Sequence, residues 1–290
     1  MTINIQKSFQ QQERGTLYLV ATPIGNLEDI TFRAVKTLKE ADLVAAEDTR
    51  QTRKLLTHFE ISTRLVSYHE HNKQASGPEL VRLMEEGQTV ALVSDAGMPA
   101  ISDPGSELAA LAIEHGIPVV PIPGANAALS ALIMSGLPTD RFHFVGFLPR
   151  DRKAVQETLD EVKGLKATLL FYESPHRVAK TLEAMAGKLG DRRVALVREL
   201  TKRYEEAVRG TISECLAYLE EHPAQGEYCL VVEGSEGSGA LQEEGEWWTE
   251  LAPEEHVYYY ERQQHSRKDS IKLAAMDRKI PKRELYNQLL

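Results

Sequence analysis

The chain has 290 residues, of which 42% are hydrophobic and 27% charged, and its formal net charge is −9. That length suits two ordinary domains of roughly 100–200 residues each, and no apolar stretch approaches the ~18 residues that would span a bilayer. The acidic balance argues against a chain coated in nucleic acid but leaves room for a local basic patch.

A polar tail, 1–14, carries no apolar signal core, so the expectation is a cytoplasmic protein. Thr16–Ala21 (TLYLVA) reads as the first strand and runs into the turn-rich loop Thr22-Pro23-Ile24-Gly25-Asn26. A helix from about Thr31 follows, with Ala34, Val35 and Leu38 on its apolar side. Asp42–Ala46 is a second strand, ending at Glu47-Asp48-Thr49-Arg50. The next helix sets Arg50, Arg53 and Lys54 on one side and Leu55, Leu56 and Phe59 on the other. Leu65–Tyr68 reads as a third strand, leading to His69-Glu70-His71-Asn72, and a helix is expected over Pro78–Glu86 with Gly87 as its cap.

The stretch Thr89–Gly105 (TVALVSDAGMPAISDPG) stands out. An unbroken apolar run, Val90–Val93, is expected of a strand buried on both faces of a parallel sheet. Asp103 reads as the N-cap of the next helix and Pro104 as its first residue. Ile117–Pro121 is the next strand, and Pro123–Ala128 opens another helix. Strand and helix thus alternate over Thr16–Met134, which predicts a doubly wound, mostly parallel sheet.

Beyond Ser135-Gly136-Leu137-Pro138, strands are expected at Phe142–Phe147, Ala167–Tyr172, Arg193–Val197 and Glu227–Val232. Helices are expected near Lys153–Val162, Pro175–Lys188 and Ser213–Glu221. Cys215 and Cys229 lie in apolar patterns and read as core. The domain layout is then an N-terminal α/β domain (15–135), a C-terminal α/β domain (136–235), an acidic linker (236–256) and a basic helical module (257–290). Residues 236–255 hold seven acids and no Lys or Arg, whereas 257–290 hold eight basic residues against four acidic ones. That tail is either a packing cap or a basic patch for nucleic acid or a partner.

No G-x-G-x-x-G follows the first strand, and no phosphate loop, HExxH or G-x-S-x-G is present. His69 and His71 read as a solvated turn, and no metal is expected. Three small-residue loops remain, Thr22–Asn26, Ser94–Gly105 and Pro123–Ala127, all at carboxyl ends of strands, where open α/β sheets bind ligands. Small residues there let backbone groups approach a ligand closely.

The blocks LYLVATPIGNLEDITFRA, VAAEDTR, LVSDAGMPAISDPG, PIPGANAALSALIMSGLP, FYESPHR and VRELTKRYEE resemble the ribosomal RNA small subunit methyltransferase I family, a branch of the tetrapyrrole-methylase fold. The tail SRKDSIKLAAMDRKIPKRELY is similar to that family's C-terminal helical module. The resemblance implies two α/β domains with a mixed second sheet and a homodimer. It also implies S-adenosylmethionine as cofactor, with 2′-O-methylation of a cytidine ribose in the decoding region of 16S rRNA. By position, Pro23, Ser94, Asp95, Gly97, Ser102, Asp103, Gly124, Asn126, Ala127, Tyr172 and Glu199 would form the cofactor pocket. Asp103 also reads as a plain N-cap, Gly124 as a plain turn and Tyr172 as core. TPIGN and SDAGMP depart from the GPGDP-like and GDP-like turns of tetrapyrrole-modifying relatives, which weakens a porphyrinoid substrate.

A ribose hydroxyl needs a general base, worth typically ~10²–10⁴-fold. Asp95, Glu47, Asp48 and His69 are the candidates, although Glu47 and Asp48 also suit pairing with Arg50 or Arg53. Arg50, Arg53, Lys54, Arg150, Arg152 and Lys153, with Arg267, Lys268, Lys282 and Arg283 of the tail, are candidates for RNA phosphate or simply for solvated faces. Two other readings stay open: a methyltransferase of a small tetrapyrrole-like metabolite, and a non-catalytic ribosome-binding protein.

Overall fold

Tetrapeptides built only of Val, Leu and Ala have no polar side to turn to water, so they need a layer packed on each face. β2 (Leu43–Ala46) and β4 (Val90–Val93) meet that need, with every residue buried. In the computed structural model they lie inside a five-stranded, all-parallel sheet with β1 (Leu17–Val20), β3 (Arg64–Ser67) and β5 (Val119–Ile122), in the order β3-β2-β4-β1-β5. The structure describes residues 5–6, 14–235, 251–262, 265–278 and 280–289, so most of the expected polar tail and linker residues 236–250 lie outside it.

The side-chain period of two splits this sheet into two cores. Leu17, Leu43, Ala45, Val90 and Leu92 meet Leu80, Val81 and Met84 of α3 (Lys73–Glu85) and Leu108 and Ala112 of α4 (Ser106–Glu114). Val20, Val44, Ala46, Ala91 and Val93 meet Ala34 and Leu38 of α1 (Phe32–Glu40) and Leu56 of α2 (Thr49–His58). Helices cover both faces, as the alternating pattern predicts.

The second sheet is mixed. β6 (Phe142–Phe147) runs parallel to β7 (Thr168–Glu173). β10 (Tyr228–Val232) pairs antiparallel between β7 and β8 (Arg193–Arg198), and β9 (Glu206–Thr211) closes the order β6-β7-β10-β8-β9. α6 (Arg152–Val162), α7 (Val178–Leu189) and α8 (Ile212–Glu221) pack on one face, with Cys215 in that core. The other face belongs to α5 (Ala127–Ser135), which follows the last strand of the first sheet. Its Ala128, Ala131 and Leu132 join Leu170, Ala195, Val197, Cys229 and Val231 in one core. Arg209 of β9 donates to the carbonyls of Met134 and Ser135, satisfying the exposed end of α5. Residues 1–235 form one compact unit and 236–290 another.

Four expectations need correction. α4 begins at Ser106, and its N-cap position is Gly105, at φ 141° and with no side-chain cap; Asp103 does not cap it. A Cβ on Gly105 would stand 2.7 Å from Leu92 Cδ2, so only glycine lets the chain pass over the core there. α3 begins at Lys73, not Pro78. Bonds from the Ala75 and Ser76 N–H groups to the Asn72 carbonyl close its first turn before the proline removes a donor. β9 was not expected, because EAVRGT lacks an apolar run; it is an edge strand held by its ladder to β8. The fifth strand is shifted to Val119–Ile122, because Ile117 and Pro118 are spent on the turn out of Gly116 (φ 68°).

In the second unit, α9 (Pro253–Arg262), α10 (Arg267–Asp277) and α11 (Lys282–Gln288) surround Val257, Ile271, Ala274, Ala275 and Leu285. α9 therefore starts inside the expected linker: Pro253 suits a first helical position, and Glu254 and Glu255 suit the positive end of a helix. His256 is fully buried, its Nε2 2.9 Å from Asp277 Oδ2 and its Nδ1 3.0 Å from the donating Arg278 Nε. Nδ1 must stay unprotonated to accept from Arg278, which fixes a neutral imidazole.

Gly105→Ala should cost about 1–3 kcal/mol of unfolding free energy, through a positive φ and overpacking against Leu92; the shift of the urea midpoint checks it. Burial holds the His256 pKa below its ordinary 6.5, outweighing the pull of Asp277. A depressed histidine stabilises the fold while it stays neutral, so this contribution is complete above pH 6.5 and is lost as pH falls through the lowered native value. Amide exchange in 253–289 should accelerate below pH 6 relative to the first unit, while a His256→Gln variant should show a flat profile (about one proton linked).

Candidate functional site

The loops that leave the carboxyl ends of β1, β4 and β5 are stitched together. Thr22 and Gly97 exchange backbone hydrogen bonds of 2.8 and 3.1 Å, forming an isolated bridge between two of the loops. Gly97 turns at φ 80°, and a Cβ there would press on Ile24 at 3.3 Å. Gly124 lies so close to Ala21 that a Cβ would stand 2.8 Å from its methyl, which draws the third loop in. Asn126 then caps α5 by accepting from the Leu129 N–H at 2.9 Å.

The second sheet presents its matching edge to these loops. β6, β7 and β8 end there, and β10, being antiparallel to β7 and β8, begins there. Between the two sets of loops lies a cavity of about 430 Å³, within the usual ~300–1,000 Å³ range for small-ligand sites. Asp95, Gly97, Ser102, Asp103, Asn126 and Ala127 line it from the first sheet, Tyr172 and Glu199 from the second. Pro23, Ser94 and Gly124 do not line it. Ser94 is buried beneath the loop, its carbonyl accepting from Thr22 Oγ1 at 3.3 Å, so its place is behind the wall.

Sequence reasoning missed much of the second-sheet wall: Phe147, Glu173, Ser174, Pro175, Lys202, Glu227 and Cys229. FYESPHR and VRELTKRYEE contain four of these, but nothing local marks Glu227 or Cys229. Glu173 is almost fully buried and well satisfied. It accepts from the Ser174 N–H at 2.7 Å and from Thr181 Oγ1 at 2.6 Å, with Arg177 Nε 3.8 Å away. Arg177 in turn donates to the Leu148 and Pro149 carbonyls and so fixes the loop beyond β6. Tyr172 is both core and wall: its ring packs on Phe144 and Phe147, and burial pushes its hydroxyl up to about 12. Burial likewise raises the Cys229 thiol to about 12, which removes it as a nucleophile at neutral pH.

The cavity is acidic. Asp95, Asp103, Glu173, Glu199 and Glu227 line it against Lys202, which is tied to Glu199 at 3.0 Å and to Glu227 at 3.2 Å. Asp103 is pushed up to about 6, first by burial and then by Glu47 and Asp95. Glu47 is raised by burial and by Asp95, an effect that His69 opposes. Asp48 goes the other way, to about 2, because it accepts from the Arg50 guanidinium and backbone N–H. Asp95 accepts from the Asp48 N–H at 3.0 Å, joining the loops after β2 and β4. Glu47, Asp48 and His69 are not lining residues; Asp48 bonds to Asp95, and Glu47 stands near enough to Asp95, Asp103 and His69 to feel their charges. His69 Nδ1 is buried with no hydrogen-bond partner among the described residues.

Of the basic candidates, Arg50, Arg53 and Lys54 border a shallow groove along α2 with Thr49, Thr57 and His58. Arg150, Arg152 and Lys153 lie exposed where Asp151 caps α6. Arg267, Lys268, Lys282 and Arg283 are exposed on α10 and α11 of the helical unit. No group of three or more His, Cys, Asp or Glu among the described residues could hold a metal ion.

Comparison with known proteins agrees with this architecture. Residues 16–216 match the Tetrapyrrole (Corrin/Porphyrin) Methylases family. A protein of Halalkalibacterium halodurans named ribosomal RNA small subunit methyltransferase I is 58% identical over 97% of both chains. Its namesake in Bacillus subtilis is 53% identical over 97% of both chains, and that of Synechocystis sp. 45% identical over 94% of this chain and 96% of the relative. Among solved structures, diphthine synthase superposes with a TM-score of 0.60 at 16% identity, covering 76% of this chain and 90% of that one. Uroporphyrin-III-C-methyltransferase from Thermus thermophilus superposes with a TM-score of 0.53 at 24% identity, covering 75% and 94%. At such identities these two show the fold alone. With a family match over most of its length and relatives above half identity over nearly all of it, the chain belongs to the ribosomal RNA small subunit methyltransferase I family of tetrapyrrole-methylase-fold enzymes, whose methyl donor is S-adenosylmethionine.

Proposed function

We propose that the acid-lined cavity between the two sheets holds S-adenosylmethionine and that the chain methylates the 2′-hydroxyl of a cytidine ribose in the decoding region of 16S rRNA. The observation that carries this reading is the cavity itself, built from the strand ends of both sheets in a chain 58% identical to a named small subunit rRNA methyltransferase. Its chemistry fits the group. A sulfonium and an ammonium suit a wall of carboxylates, and the small residues Gly97, Ser102 and Ala127 allow backbone groups to approach an adenosine closely. When bound, the cofactor supplies an electrophilic methyl group on sulfur.

The chain's own residues align and deprotonate. Methyl transfer is an in-line displacement, so positioning dominates. Asp95, Asp103, Asn126 and Tyr172 orient the donor from both sheets, while Pro23, Ser94 and Gly124 set the shape of the loops behind them. The acceptor hydroxyl needs a group that takes its proton. Asp48 is held in its ionised form by Arg50 and is the poorest of the four candidates. Asp95 lines the cavity beside Asp103, and Glu47, raised by burial and by Asp95, stands next to it; these two are the better placed to take the proton.

The acceptor is a polyanion, and Arg53 and Lys54 on α2, Arg150, Arg152 and Lys153 at α6, and Arg267, Lys268, Lys282 and Arg283 of the helical unit would meet its phosphates. Leu129 and Ile133, one turn apart, leave an apolar stripe exposed on α5, which is where the second copy of a homodimer would pack. A tetrapyrrole acceptor is the second reading, favoured by the fold likeness. The acidic wall argues against it, because such macrocycles carry carboxylates.

Methyl transfer from labelled cofactor to small ribosomal subunits that lack the native modification, followed by nucleotide mapping, tests the reading. A labelled cytidine ribose is expected; label on a base, or on a tetrapyrrole alone, sinks it. Replacing Arg53 and Lys54 by Ala should lower the salt slope of RNA binding by about 0.7–0.9 per lost phosphate contact while cofactor affinity holds. Asp103→Asn should raise the melting temperature at pH 7, because a carboxylate whose native pKa is about 6 penalises the fold once ionised. That gain should shrink as pH falls toward 4, and transfer activity should drop at every pH.

A further inference from the structure

β6 reaches the cavity through an irregularity. In its parallel ladder with β7, Phe144 lies opposite Leu170, Gly146 opposite Phe171 and Phe147 opposite Tyr172. Val145 and Gly146 thus share one partner, and Gly146 turns there at φ 76°. Side chains alternate along a strand, so a one-residue bulge moves those that follow it to the other face of the sheet. In an unbroken register Phe147 would stand opposite Glu173, whose carboxylate accepts from Thr181 of α7. The bulge instead sets Phe147 beside Tyr172, on the face that carries α5 and the cavity. Both sides of the bulge are held. A Cβ on Gly146 would come 3.2 Å from Ser102 Oγ of the loop after β4. Beyond it Leu148 is buried, and Arg177 Nη2 donates to the Leu148 and Pro149 carbonyls at 3.1 and 2.6 Å.

The ring so placed is not core. Phe147 lines the cavity and is still 58% exposed, with the Tyr172 ring centroid 5.5 Å from its own. It stands where the cavity opens to solvent. A single exposed phenylalanine on a surface is ordinary; one turned onto a cavity wall by a bulge is a feature of the site. The same segment runs on into Arg150, Arg152 and Lys153, all exposed around the Asp151 cap of α6. An aromatic face followed closely by cations is what unpaired RNA needs, a surface for a base and charges for the backbone. A nucleotide that brings its ribose to a cavity must leave its own stack, and an aromatic ring replaces the neighbours it loses. The acidic interior suits a cationic methyl donor, whereas a flat, uncharged base suits the ring at the mouth.

We infer that Phe147 is the platform on which the base of the acceptor nucleotide stacks, holding its ribose at the cavity while Arg150 and Arg152 meet the adjoining phosphates. The inference rests on the reading of the cavity as the methyl-transfer site.

Methyl transfer to small ribosomal subunits that lack the native modification, with calorimetric titration of S-adenosylmethionine alongside, tests it. Phe147→Leu keeps an apolar side chain without a ring face, so kcat/KM for subunits should fall about tenfold or more, as for one lost base stack. Its cofactor dissociation constant and melting temperature should match those of the wild type. Phe147→Tyr restores the ring and should bring kcat/KM back to within about threefold of the wild type. A Phe147→Leu variant within about twofold of the wild type in kcat/KM overturns the inference but leaves the cavity reading standing. Cofactor affinity that falls as far as transfer also overturns it, since the ring would then serve the cofactor's adenosine. So does a Phe147→Tyr variant as impaired as Phe147→Leu, because packing and not stacking would be at work. A wild-type chain that binds no cofactor overturns the cavity reading, and this inference with it.

Discussion

The cavity exists because α5 leaves the sheet it follows. A helix after β5 would ordinarily fold back onto its own sheet; α5 instead lays Ala128, Ala131 and Leu132 against the second sheet. Two alanines on that face allow a close approach, and full burial of Leu132 alone contributes about 1.5–3 kcal/mol. Arg209 closes the far end of the helix by donating to its last carbonyls. The near end, capped by Asn126, is thereby held at the carboxyl edge of the first sheet. One helix therefore fixes the two strand-end loop sets against each other, and the space left between them is the site.

Charge decides what that space accepts. Carboxylates line it from both sheets, and burial together with mutual repulsion makes Asp103 and Glu47 reluctant to ionise. Such a wall costs stability when empty and suits a cationic ligand. Asp48 shows the contrast within a single loop: two contacts from Arg50 draw its carboxyl far below its neighbour's. A chain with an acidic cavity and an overall charge of −9 still exposes cations elsewhere, on α2, at α6 and on the helical unit.

Glycine recurs wherever two segments approach too closely for a methyl group. Gly105 passes over Leu92, Gly124 over Ala21, and Gly25 over the Leu200–Lys202 turn. Substitution at any of these moves a cavity wall before it touches a ligand, so their conformational freedom and the geometry of the site are one constraint.

Several features followed from the sequence alone. Short unbroken runs such as VALV and LVAA fit strands buried on both faces, and their alternation with amphipathic helices points to a parallel, doubly wound sheet. The three small-residue loops at strand ends were legible for the same reason, and so was the family, from six ordered blocks. Tertiary structure decided the rest. Asp103 follows the local rule for an N-cap, yet the helix starts after Gly105, the residue that fits over Leu92, and Asp103 lines the cavity instead. β9 has no apolar run to reveal it, since an edge strand draws its order from its neighbour. Glu227 and Cys229 joined the wall only because β10 runs antiparallel and starts where β7 and β8 end. Sequence pattern reports which side of an element is apolar; it does not report which other apolar surface will cover it. For α5, that choice made the site.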